Sequence, residues 1–184
     1  ARYPGKAAYL YGGKALSFAE LKRQAVLLAG WLQRCGVERG DRVALFMQNC
    51  PQFVVAFYAV MRANAVVVPV NPMNRAEEFA HYIADPDTRV VICAADLAGF
   101  VATANAALPA ERRLKAVLVT RYADALPDAA AEAFDAEREL PPTIEQWLRC
   151  ASALPQGFAR WADALAAGLV PGPQLARPDD LALL

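Results

Sequence analysis

From Phe18 to Cys35 the apolar residues Phe18, Leu21, Ala25, Leu28, Leu32 and Cys35 recur at steps of three and four, with Lys22, Arg23 and Gln24 between them. Such spacing puts one apolar stripe on one side of a helix. Ser17, followed three residues later by Glu20, predicts the start of that helix through a capping box, and Gly36 predicts its end as the residue that leaves the helical conformation. Upstream, Lys6–Tyr11 and Lys14–Leu16 flank Gly12-Gly13, the pattern of a β-hairpin on a glycine turn.

Downstream the pattern alternates between short apolar runs and helical stripes. Arg42–Met47 reads as a strand, and Asn49 or Cys50 caps a helix whose first turn accepts Pro51. That helix, to about Ala63, is apolar on all sides and therefore has to be covered on more than one. Ala65–Val70 is a continuous β-branched run, as expected of a strand buried on both faces of a parallel sheet. Asn71-Pro72-Met73-Asn74 leads into a helix with Asn74 and Glu77 at capping-box spacing and Ala76, Phe79, Ala80 and Ile83 facing inward. Arg89–Cys93 is the next strand, Asp96 caps a helix to about Ala107, and Lys115–Thr120 is a further strand.

This alternation predicts an α/β fold: a doubly wound, mainly parallel sheet with flanking helices and a short N-terminal hairpin. The expected organisation is a single partial subdomain, with an α/β core over about 1–120 and an irregular, partly helical excursion over 121–175. Thr143–Arg149 and Phe158–Ala167 are short helical patterns within that excursion. Residues 176–184 form a lead-in in which Leu181–Leu184 begins a strand, so the pattern reads as a domain cut in mid-strand.

Charge removes several functions from consideration. Lys and Arg total 19, as do Asp and Glu, with no basic block to neutralise nucleic-acid phosphates. The scattered cysteines Cys35, Cys50, Cys93 and Cys150 form no C-x-x-C pair and, with the single His81, predict no metal site. Buried thiols in a reducing cytosol are the expectation. The sequence opens on no charged and apolar leader, and Phe53–Met61 is short of the roughly 20 residues a membrane span needs.

Candidate chemistry is sparse. No G-x-x-x-x-G-K-[ST] or G-x-G-x-x-G is present, and Gly12-Gly13-Lys14 falls in the hairpin turn. His81 shares the outward side of its helix with Glu77 and Asp85, which predicts a solvated, partly paired side chain. Cys50 stands at a helix start, where a thiol pKa can be lowered, against the simpler reading of a buried thiol. Phe53, Phe57 and Tyr58 are expected in the core. Asn71 and Pro72 follow a strand at its carboxyl end, where open α/β sheets bind ligands, so they are candidate substrate-binding residues, with shaping of the turn as the plainer alternative.

A family resemblance emerges from the ordered set of segments. Leu16-Ser-Phe-Ala-Glu-Leu21, Leu28-Ala-Gly-Trp-Leu32, Gly36–Leu45, Met47-Gln-Asn-Cys-Pro-Gln52, Asn64–Pro72, Glu78–Ile83 with Asp85, and Pro178-Asp-Asp-Leu-Ala182 resemble the N-terminal part of acyl-CoA synthetases in the adenylate-forming superfamily. The likeness covers nearly the whole chain and is weakest from Tyr122 to Ala153. Asn71-Pro72-Met73-Asn74 leans towards ligases of medium- or long-chain fatty acids, while aryl-acid ligases and amino-acid adenylation domains share much of the region.

The resemblance implies a two-step reaction in which a carboxylate and ATP give an acyl-adenylate, and coenzyme A then takes the acyl group. It implies ATP, Mg2+ and CoA as cofactors of a longer parent enzyme, a fatty acid as its substrate, and a cytoplasmic setting. The family's phosphate loop would follow Leu184, so no catalytic, cofactor or metal residue is assigned within these residues, and this piece by itself is expected to be inactive. The remainder of the parent chain would be its partner. Apolar surface at Pro51–Ala63 and Leu181–Leu184 would favour self-association. A non-catalytic α/β module binding a small ligand or a protein is the alternative.

Overall fold

The computed structural model describes residues 2–126, 141–149 and 152–184. A five-stranded parallel sheet has a separate antiparallel hairpin beside it. The hairpin is Ala7–Tyr11 (β1) and Lys14–Ser17 (β2). Gly12 and Gly13 turn it with φ of 52° and 83°, a region that side chains with a Cβ rarely enter.

Helix α1 (Phe18–Arg34) starts at Ser17, whose hydroxyl accepts the Glu20 amide N–H at 3.2 Å. The expected reciprocal half of the capping box is not made. Instead the Glu20 carboxylate accepts from Arg23 and Gln24 at 2.7 Å, and these charge-assisted bonds outcompete a lone amide. The helix ends as anticipated at Gly36, φ 83°, with the Gly36 N–H on the Gln33 carbonyl and the Val37 N–H on that of Leu32.

The sheet is built from β3 (Arg42–Phe46), β4 (Val66–Val70), β5 (Val90–Ala94), β6 (Ala116–Thr120) and β7 (Ala159–Arg160). Their spatial order is β4-β3-β5-β6-β7, every neighbouring pair parallel. The connecting helices are α2 (Pro51–Arg62), α3 (Ala76–Ala84) and α4 (Ala98–Ala107); α5 (Pro142–Leu148) and α6 (Trp161–Ala166) follow β6. Helix α1 lies against α2 and α6, and α3 against α4, so helices cover both faces of the sheet.

Leu28, Leu32, Val43, Leu45, Phe46, Val67, Phe79, Ile92 and Leu118 are fully buried between these layers. Each large apolar side chain removed from water stabilises the fold by roughly 1.5–3 kcal/mol. Phe46 and Phe79 stack with ring centroids 4.6 Å apart, tying β3 to α3.

Several local expectations need correction. Helix α3 is preceded by Arg75, not Asn74: the Asn74 N–H closes a turn onto the Asn71 carbonyl, and the Glu78 carboxylate takes the Arg75 N–H at 2.8 Å. Leu97, with no side-chain cap, precedes α4 in place of Asp96. The segment expected to be helical from Phe158 begins instead with β7, because Ala159 and Arg160 pair with Leu118 and Val119 on the open edge of β6. Phe53 and Phe57 are only half-buried and Tyr58 is exposed. The valines of β4 are buried as expected, yet β4 is an edge of the sheet and its Pro69 is exposed, the position where a missing N–H does least harm.

Candidate functional site

Open parallel sheets gather ligands outside the carboxyl ends of their strands, where the winding reverses. Here the reversal lies between β3 and β5: the chain leaves β3 through α2 to β4 on one side, then returns through α3 to β5 on the other. Tyr122, just after β6, reaches across the end of β5, and its hydroxyl accepts the Gln48 amide N–H at 2.9 Å. Trp147 of α5 lies against the Tyr122 ring at 5.0 Å between centroids. Tyr122 is nearly inaccessible, so protein side chains fill this crevice.

The electrostatics at this end favour neutral groups. Burial pushes the Tyr122 phenol well above its ordinary pKa, so near neutrality it acts as a hydrogen-bonding group and not as a base. Asp96 reaches solvent, yet loss of hydration raises its carboxyl pKa against the lowering effect of its own amide, Trp147 and the Leu97 amide. Burial likewise carries Cys50 to about 11, outweighing the Phe53 and Gln52 amides at the helix start. The lowered thiol considered for Cys50 is therefore overturned: the thiol is fully buried, and a neutral thiol is a poor nucleophile.

Asn71 and Pro72 lie at the carboxyl end of β4, as the sequence indicates. The Asn71 side-chain oxygen accepts the Met73 N–H at 3.0 Å while its carbonyl accepts the Asn74 N–H at 3.0 Å. Asn71 thus shapes its own turn, with its side chain exposed and Pro72 half-buried behind it.

Other candidates are committed to structure. A Cβ on Gly12 would run into Leu126, and Lys14 Nζ reaches the Leu126 carbonyl at 3.5 Å, so the Gly-Gly-Lys turn is packed against protein. His81 and Glu77 are exposed on α3, as is Asp85 at its C-terminal cap. Among the described residues no group of three or more His, Cys, Asp or Glu is arranged to hold a metal ion. Cys150 lies outside the described residues.

A cavity of about 370 Å³ beside the hairpin is lined by Lys14, Gln52, Arg121 and Trp161, among others. Gln52 donates to the Arg121 carbonyl at 2.9 Å, leaving its own oxygen without a partner; the Thr120 hydroxyl is likewise buried and unpartnered. A larger groove of about 750 Å³ lies at the opposite, amino end of the sheet, bordered by Arg39, Arg42, Arg177 and Asp180.

The sequence reading missed Tyr122 and Trp147, because their meeting depends on the position of α5 and no spacing encodes it. It also missed the structural role of Asn64, although an Asn directly after a helix is a recognisable left-handed cap.

Comparison with known proteins brings this geometry into a family. The model of the family described as AMP-binding enzyme matches residues 1–184. A long-chain-fatty-acid–CoA ligase from Bacillus subtilis (strain 168) is 39% identical over 92 residues, covering 50% of this chain and 16% of that protein. A feruloyl-CoA synthase from Amycolatopsis sp is 39% identical over 89 residues, covering 48% of this chain and 18% of that protein. The benzoate CoA ligase from Burkholderia xenovorans LB400 superposes with a TM-score of 0.71 at 18% identity, over 99% of this chain and 29% of that one, a likeness of fold. The chain spans less than a fifth of the length of these curated relatives.

Proposed function

Because the chain belongs to the AMP-binding enzyme family, we propose that it is the N-terminal scaffold of an acyl-CoA synthetase, which joins a carboxylic acid to coenzyme A through an acyl-adenylate made from ATP. The observation that carries this reading is the family match over 1–184. It is supported by the similarity to ligases of long-chain fatty acids over about half of the chain.

The described residues do not fit a nucleotide triphosphate. Such a site needs amides, hydroxyls and a cation converging on the phosphates. Here the Gly-Gly-Lys turn faces Leu126, and the crevice between β3 and β5 is crossed by the buried Tyr122, with the exposed Trp147 against its ring. In this reading these residues supply no chemical step of their own. Their role in this reading is to build one wall of the catalytic domain, with Asn71 and Pro72 as its nearest approach to substrate. Mg2+ and CoA would be held by the remainder of a longer chain, and the setting would be cytoplasmic. Among the described residues no helix is long and apolar enough to cross a membrane.

A fatty acid is the proposed substrate. An aryl acid is the second reading, favoured by equal identity to a feruloyl-CoA synthase. Full-length protein assayed for pyrophosphate release and thioester formation with palmitate, decanoate, ferulate and benzoate tests both. Thioester from the fatty acids is expected; turnover of ferulate alone would favour the second reading, and no turnover with any acid would defeat the proposal. The 184-residue chain assayed alone is expected to show no turnover. Self-association of this chain through the exposed Leu181, Leu183 and Leu184 is expected by light scattering, and a monomer at high concentration would refute it.

A further inference from the structure

Residues 169–184 form an extended strap over the surface, and its fixings converge on the corner between α2 and β4. The strap crosses α1 at Gly30, where a Cβ would overlap the Leu169 carbonyl. The Gly172 N–H donates to Gln33 Oε1 at 2.8 Å, and Arg62 donates to the Gly172 carbonyl at 2.9 Å. Asn64 then makes the densest set of contacts. Its Nδ2 donates to the Pro173 carbonyl at 3.1 Å, while its Oδ1 accepts the amides of Leu175 at 2.6 Å and Ala176 at 3.0 Å. Asn64 is buried, with φ 66°, and its own carbonyl accepts the Gly40 N–H at 2.9 Å.

Beyond this clasp the strap reaches the free edge of β4. The Val67 N–H donates to the Ala182 carbonyl at 2.9 Å, and the Leu184 N–H donates to the Val67 carbonyl at 3.0 Å. The bridge between Val67 and Leu183 is parallel, so residues 182–184 run towards the carboxyl end of the sheet, the end that carries Asn71. Pairing of this kind is sensitive to register, because a slip of one residue turns every side chain to the opposite face. Residues 172–180 are exposed, and beyond Ala176 the strap's further tie to the body of the fold before Ala182 is the solvent-exposed Arg39–Asp180 ion pair at 2.7 Å.

We propose that Asn64 is a positioning residue: its carboxamide sets the register in which residues 182–184 join β4, and so sets where the chain following Leu184 arrives at the carboxyl end of the sheet. The kinetic part of this inference rests on the proposed ligase reading; the structural part does not. Asn64 performs two separable tasks. Its backbone supplies the left-handed conformation that ends α2, with the Asn64 N–H on the Met61 carbonyl and the Ala65 N–H on that of Val60. Its side chain holds the strap.

Glycine at this position keeps the first task and loses the second. In full-length protein, Asn64→Gly should therefore leave the Ala63 and Ala65 amides protected while hydrogen exchange at Leu175, Ala176 and Leu184 rises about tenfold or more. Asn64→Asp, which keeps the acceptor, should restore protection at Leu175 and Ala176. With ligase activity in hand, Asn64→Gly should lower kcat/KM by about tenfold or more at a nearly unchanged melting temperature, and Asn64→Asp should recover part of it. Wild-type exchange at Leu175, Ala176 and Leu184 in Asn64→Gly would overturn the clasp. Fast exchange with unchanged kinetics would overturn the positioning role. If the wild-type protein turns over no carboxylic acid, the ligase reading falls by that result, and the amide pattern decides the clasp alone.

Discussion

The middle of the sheet and the strap at its edge are held by different physics. Strand β5 is buried at every residue and sits between β3 and β6, with helices on both faces. Its stability comes from apolar area and close packing, which are non-directional and spread over many neighbours. The strap is exposed from Gly172 to Asp180 and is fixed by side chain–backbone hydrogen bonds to Gln33, Arg62 and Asn64 and by one ion pair. Directional bonds near solvent contribute less each, and each can be lost separately. The central layer should therefore respond to substitution as one cooperative unit, and the strap should open locally.

The largest expected effect tests the cooperative half. Phe79→Ala removes a fully buried ring stacked on Phe46 and should cost roughly 3–5 kcal/mol in denaturant unfolding. Loss of protection confined to α3, with the rest of the sheet unaffected, would contradict a single cooperative layer.

Gly30→Ala tests the strap. The new methyl group meets the Leu169 backbone, which cannot rotate away as a side-chain tip could. About 1–3 kcal/mol of overpacking should appear as strap opening, read by faster exchange of the Gly172 amide, while α1 keeps its helicity. An unchanged Gly172 amide would show that the strap is not seated on this glycine.

The pH dependence of the core comes next. The Cys50 pKa is raised from 9.0 to about 11, so the folded protein retains a proton that the unfolded chain releases. This contribution is complete below pH 9 and is lost as pH climbs towards 11, roughly 1 kcal/mol by pH 10. Comparison with Cys50→Ala over that range checks it, since the variant should show the shallower fall. Equally steep curves would refute the assignment.

The smallest effect belongs to the Arg39–Asp180 pair, 2.7 Å apart and solvent-exposed on both sides. Arg39→Ala should leave the unfolding midpoint indistinguishable from wild type, because screening cancels most of such an attraction. A clear drop would mean that the strap is tied by charge as well as by Asn64.

Legibility in the sequence follows the same division. The stripe from Phe18 to Cys35, the Gly12-Gly13 turn and the buried runs of β3, β5 and β6 are local patterns, and their elements lie within a residue or so of the expected bounds. Strand β7 is not legible locally, because Ala159-Arg160 carries no strand pattern; the open edge of β6 makes it one. Asp96 looked like a helix cap because its type suits one, but its carboxyl lies near Trp147, which comes from a distant part of the chain. At the candidate site, Asn71 is legible as a residue following a strand, whereas the meeting of Tyr122 with Gln48 and Trp147 is not.

By itself the sequence determined the layers. Period and capping are set by neighbours within a few residues, and apolar runs declare that they will be buried. Which strand lies beside which, where the winding reverses, what fills that crevice and how the strap finds β4 were decided by the tertiary structure. Those outcomes depend on contacts such as Asn64 with Leu175 and Gln48 with Tyr122, separated by 111 and 74 residues. Such contacts form only when the packed layers bring the two partners together, and no local periodicity carries their address.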